Sequence, residues 1–180
     1  MKTASPLHLW SFQATAACEV LEKTGILQVS WDKTPINWRP AYHWMATEME
    51  KQGITLQGFA PVWAWHSCGG ILCGAPKLGT ARALFSDLAL MDGIWVVEFE
   101  ATADLCLLSS YARFNALLNV ILDDQTLDQE AFIDMFDVPP IAYYDDIQVV
   151  LPYLKMEWIK GIRFLDIKLD KWDYDWEKAV

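Results

Sequence analysis

The sequence predicts an α+β domain in which a small mixed or antiparallel sheet packs with about five helices, the helices clustered in the C-terminal half. Three observations carry this. The chain has 180 residues, 53% of them hydrophobic and 21% charged, which is enough apolar material for one core and one domain over residues 1–180. Stretches such as "LHLWSFQ" and "GIWVVEFEA" alternate with the two-residue period of strands. After Ser110 the apolar residues recur at helical spacing instead.

Element by element, Leu7–Gln13 opens as a strand, with Leu7, Leu9 and Ser11 against His8, Trp10 and Phe12. "ATAACEVLEKTG" sets Ala17, Val20, Leu21 and Thr24 on one helical face, and Gly25 stops the helix in the left-handed region. Ile26–Trp31 reads as a second short strand. "RPAYHWMATEMEKQG" is the best-punctuated helix: Pro40 suits the first turn, Ala41, Trp44, Met45 and Met49 share a face, and Gly53 ends it. Pro61–His66 is a strand, followed by a glycine- and proline-containing loop to about Gly79. "TARALFSDLALMDG" reads as a short helix.

"GIWVVEFEA" is a strong strand, and "LCLLSS" reads as another. Ser110 then caps a helix striped by Tyr111, Phe114, Leu117, Leu118 and Ile121. "TLDQEAFIDMF" starts with Thr126 and Gln129 at capping-box spacing. Ile147, Val150 or Leu151, Leu154, Trp158 and Ile162 mark a long final helix, with Pro152 bending it or lying in its first turn. The closing "KWDYDWEKAV" is either an edge strand or a docked tail.

A net charge of −10 disfavours direct DNA binding and anionic lipid. No stretch reads as a membrane span or a secretion signal, so the chain is expected to be soluble and cytoplasmic, its four cysteines serving as small apolar residues. The ten tryptophans, at roughly 150–250 Å² of buried surface each, are expected to dominate the packing.

"LWSFQ", "AYHWM", "PVWAW", "VVEFEA" and "IQ…EWIKGIRF" occur in that order. Together they resemble an uncharacterised, mostly bacterial family known as a domain of unknown function, over about residues 9–165, with the acidic-aromatic tail 166–180 outside it. That family implies a coherent single domain and no particular activity. Pro152 departs from the helical pattern expected in its last segment. The order of strand, helix ending "TGIL", tyrosine-bearing helix and late glutamate-bearing strand is also similar to small ADP-ribosyltransferase-like domains. That resemblance implies NAD as the cofactor, Glu98 or Glu100 as the catalytic carboxylate, Tyr42 stacked on nicotinamide, and His8 or Gln13 on the ribose. No His-Tyr-Tyr or Arg-Ser-Glu set accompanies it.

Weighed by residue chemistry, Trp63 and Trp65 share one strand face. A strand covered on both faces needs no ligand to explain them, so interior packing is the favoured reading; a stacking platform would need one indole in a groove. His66 with Cys68, Cys73 and Cys106 or Cys18 lacks compact zinc spacing, so no metal is expected. A Cys68–His66 nucleophile pair has no orienting group. "CGGILCGAPKLG" matches no phosphate loop and reads as a flexible loop. Arg39 and Tyr42 stand at a helix start, where free N–H groups favour an anion. Glu98 is either a water-facing edge carboxylate or a partly desolvated acid.

The expected function is a pocket that binds a small anionic or nucleotide-like ligand, lined by Arg39, Tyr42, Trp65, His66 and Gln13, with Glu98 and His66 as catalytic candidates. The alternatives are a non-catalytic protein-interaction module or homodimer docking through the tail, and an NAD-using transferase.

Overall fold

The structure, a computed structural model, describes residues 5–68, 74–123, 130–138 and 146–165. Among the described residues, eight strands and five α-helices run in the order β1 (Pro6–Ala14), α1 (Thr15–Thr24), β2 (Ile26–Leu27), α2 (Arg39–Lys51), β3 (Val62–Ser67), α3 (Leu78–Leu84), α4 (Asp87–Asp92), β4 (Ile94–Thr102), β5 (Leu107–Ser110), α5 (Tyr111–Leu122), β6 (Ile147–Leu151), β7 (Leu154–Lys155) and β8 (Ile159–Phe164). Six strands form one sheet in the order β5-β6-β3-β1-β4-β8, and β2 pairs with β7 in a second. Every pairing is antiparallel.

The architecture is α+β, but the expected placement of the helices is overturned. Four of the five described helices precede β4 and only α5 follows it, while three strands close the described chain. The stretch 147–162, read as a long helix, is β6, β7 and β8. All five residues of β6 are buried, because a strand inside a covered sheet is apolar on both faces. Such a run fits a helical stripe as well as a strand. Pro152 lies in the turn between β6 and β7, where no ladder donor is needed.

Smaller differences have local causes. "TARALFSDLALMDG" breaks into α3 and α4 because the Ser86 side chain accepts from the Ala89 backbone N–H and starts a new helix. The expected strand at 26–31 keeps only Ile26–Leu27, and Trp31–Lys33 turns into a 3₁₀ helix. Glu130–Phe136 is also 3₁₀; its capping-box start lies outside the described residues, as do Cys73 and the tail. Gly25 ends α1 at φ 78 and Gly53 follows α2 at φ 83, both left-handed as the sequence implies.

The main sheet is covered on both faces. On one, Leu9, Val97, Phe99, Ala64 and Val149 pack with Cys18 and Leu21 of α1 and with Leu27 and Leu154 of the small sheet. The other face carries two separate clusters. Trp44, Met45 and Met49 of α2 join Phe114 and Leu117 of α5 over Leu107 and Val150. Ala81 of α3 and Leu90 of α4 cover Ile94 and Val96, with Trp10, Phe12 and Phe85 alongside.

Candidate functional site

Between these two clusters the sheet is not filled. The cross-strand registers Trp10↔Trp65, Trp65↔Gln148 and Ser109↔Gln148 put those four residues in one row on this face. Strand alternation adds Phe12, Trp63, Val150 and Leu107 as the neighbouring row. A cavity of about 380 Å³ opens over these rows, lined by Trp63, Trp65 and Gln148 from the sheet, Trp38 and Tyr42 from the α2 side, Phe114 and Asn115 from α5, and Ala83 to Phe85 from the end of α3.

A gap in the ladder helps to open it. β1 and β3 are in register only at Trp10↔Trp65. Beyond that point the buried Ser11 hydroxyl donates to the Trp63 carbonyl at 2.6 Å, and Gln13 Nε2 donates to Ser11 Oγ at 2.7 Å. The side chains thus satisfy a backbone group that a continuous ladder would have paired, and Phe12, Gln13 and Val62 reach the cavity wall.

The rings hold one another. Trp63 meets Tyr42 at 4.9 Å and Phe114 at 4.6 Å between centroids, and Trp65 meets Tyr111 edge-on at 4.9 Å. Trp65 is buried and Trp63 half-buried. The indoles are packed into the fold, and both also line the cavity. Burial pushes the Tyr42 phenol up to about 12, so it stays a neutral donor at physiological pH. The Trp63 indole N–H is buried without a hydrogen-bond partner.

Lys33 is the charged residue among the described lining residues, which include no Asp or Glu. Its loop is fixed by Arg39: Nε donates to the Thr34 carbonyl at 3.3 Å and to Thr34 Oγ1 at 3.2 Å, and the Thr34 hydroxyl donates to the Trp31 carbonyl at 2.7 Å. Thr34 and Pro35 line the cavity with Lys33. Arg39 stands behind this loop as a positioning residue.

Of the residues singled out in the sequence, Gln13, Tyr42 and Trp65 come together at the cavity, whereas Arg39, His66 and Glu98 do not line it. His66 lies where the β3–β6 register shifts, in a bulge. Its Nδ1 is buried without a partner, and desolvation lowers its pKa. Glu98 is held on two sides: His8 Nε2 lies 2.7 Å from Oε1, and Arg163 Nη2 donates to Oε2 at 2.8 Å. His8 also stacks on Trp10 at 4.6 Å, and Glu100 pairs with Lys160 at 2.8 Å. Glu98, Glu100 and His8 are thus engaged in cross-strand hydrogen bonds and ion pairs away from the cavity.

Cys18, Cys68 and Cys106 are buried free thiols, and burial raises each pKa, to about 11 for Cys18 and about 12 for Cys106. A neutral thiol is neither a nucleophile nor a metal ligand. Among the described residues no cluster of three His, Cys, Asp or Glu could hold a metal ion, and no helix is long and apolar enough to cross a membrane.

Gln148 was missed by sequence reasoning. The one signal for Gln148 is its place as the sole polar residue in "IQVVL". Comparison of the chain with family models, with curated proteins and with solved structures finds no match.

Proposed function

We propose that the chain binds a small, flat, anionic ligand of nucleotide-like size in the cavity over β3. The observation that carries this reading is a 380 Å³ aromatic concavity whose described walls hold one cation and no carboxylate, in a chain of net charge −10. Ligand cavities of this kind pair apolar walls with a few convergent polar groups. Here Trp63, Trp65, Tyr42 and Phe85 offer ring faces and edges, and Lys33 offers a charge at the wall. An acidic protein repels anions in general, so a carboxylate-free wall with a lysine is the place where an anion meets least opposition. Binding rather than turnover is the reading, because the described lining residues include no histidine, cysteine or carboxylate to move a proton or attack a bond.

Calorimetric titration with phenyl phosphate and with uridine 5′-monophosphate tests this. Binding of at least one probe is expected, and Ala83→Phe should abolish it, since Ala83 is an exposed helix residue at the cavity wall whose enlargement costs the core little. No heat from either probe at millimolar concentration, or equal binding by Ala83→Phe, contradicts the reading.

A further inference from the structure

Resting on that reading of the cavity, we propose that Gln148 selects ligands whose flat ring carries a lactam edge, an N–H beside a C=O as in a uracil or hypoxanthine base. Gln148 is only 3% exposed, at the second position of β6. Apolar neighbours Val149, Val150 and Leu151 follow it, and a buried carboxamide is costly unless its hydrogen bonds are made.

One bond is made inside the protein: Nε2 donates to Ser109 Oγ at 3.1 Å, and Ser109 is itself fully buried. The second Nε2 hydrogen and Oε1 have no hydrogen bond to any described residue. Gln148 lines the cavity, where these remaining groups can meet a ligand. A carboxamide anchored at one end to a serine therefore keeps both a donor and an acceptor.

The neighbour across the strand pair decides what meets them. Trp65 is the register partner of Gln148, so an indole and a carboxamide stand side by side on the sheet face. A heteroaromatic ring against the indole carries its polar edge in its own plane. A lactam supplies an acceptor and a donor on adjacent atoms, the complement of what Gln148 retains. A ring without such an edge leaves the carboxamide unpaired, and such a mismatch weighs more heavily than an extra apolar contact.

The test compares three anions by calorimetry: uridine 5′-monophosphate, its N3-methylated analogue of nearly equal size, and the smaller phenyl phosphate. Native protein should bind uridine monophosphate at least tenfold more tightly than the other two. Gln148→Met with Ser109→Ala, which removes both polar groups together, should erase the tenfold preference for uridine monophosphate over its N3-methylated analogue. The N3-methylated probe makes the same comparison on the native fold, independent of whether the variant folds. If the cavity binds all three alike, within about twofold, Gln148 does not select and the proposal is overturned while the cavity reading survives. If native protein binds none of them, both fall.

Discussion

Trp65 of β3 and Gln148 of β6 stand opposite each other in an antiparallel pair, an indole beside a carboxamide on one face of the sheet. This pairing joins the aromatic packing of the fold to the polar group that gives the cavity a direction. Trp63, two residues earlier on the same face, continues the wall and is braced by Tyr42 and Phe114.

Trp63 serves both structure and binding, so its truncation should show in both. Trp63→Ala removes ring contacts to two helices and is expected to cost about 3 kcal/mol, as for large aromatic deletions in cores. Trp63→Phe should keep most of that stability. Denaturant unfolding and probe titration on both variants check this. A Trp63→Ala protein as stable as the native one would mean that the indole is not packed as described.

The Ser11 hydroxyl holds the strands where the ladder stops. Ser11→Ala leaves the Trp63 carbonyl unpaired and should cost about 1–2 kcal/mol, measured by urea unfolding. It should also loosen the cavity wall, lowering probe affinity. Unchanged stability would show that the carbonyl finds water and that the gap is open to solvent.

Much of the framework can be read in the chain. Pro40 and Gly53 frame α2, Gly25 closes α1, and Ile94–Thr102 alternates as β4 does. What could not be read is tertiary. Ile147–Leu151 is buried on both faces, so its mostly apolar run matches strand and helix equally, and local pattern alone predicts a helix there. Strand alternation does place Trp63 and Trp65 on one side. That this side meets a void depends on how far α3 stands from α2 and α5, which no local pattern encodes. Arg39 carries a recognisable anion-binding signature at a helix start, yet its guanidinium is consumed in fixing the Thr34 loop.

Lys33 is exposed, and its ammonium lies 3.8 Å from the Asp32 carboxylate. Lys33→Glu should leave stability within about 0.5 kcal/mol and weaken the binding of anionic probes about tenfold at low salt, with the difference shrinking as ionic strength rises. A salt-independent loss would assign Lys33 a contact role in place of an electrostatic one.

Glu98 belongs to the scaffold. Glu98→Gln loosens its bracket between His8 and Arg163 and should cost about 1 kcal/mol or less, as for partly exposed ion pairs, with probe binding unchanged. Loss of binding at unchanged stability would return Glu98 to the functional site.

His66 sets a pH dependence. Its pKa is lowered in the fold by desolvation, so below pH 6.5 the unfolded chain binds the proton more readily than the folded one. Its contribution to stability is whole above pH 6.5 and falls as pH drops through the window beneath that value. His66→Phe should show a shallower decline in melting temperature between pH 7.5 and pH 5.5 than the native protein. Equal slopes would show that His66 is protonated in the fold as easily as in water.

The most direct test of the cavity as a ligand site uses the indoles themselves. Each of the ten tryptophans gives one Nε1–H signal in a ¹H–¹⁵N spectrum, assignable by single Trp→Phe changes. On addition of uridine 5′-monophosphate, the signals of Trp63 and Trp65 should move together and saturate, while those of Trp95 and Trp158, on the opposite face of the sheet, stay fixed. Movement confined to indoles away from the cavity, or none at millimolar ligand, would contradict the account.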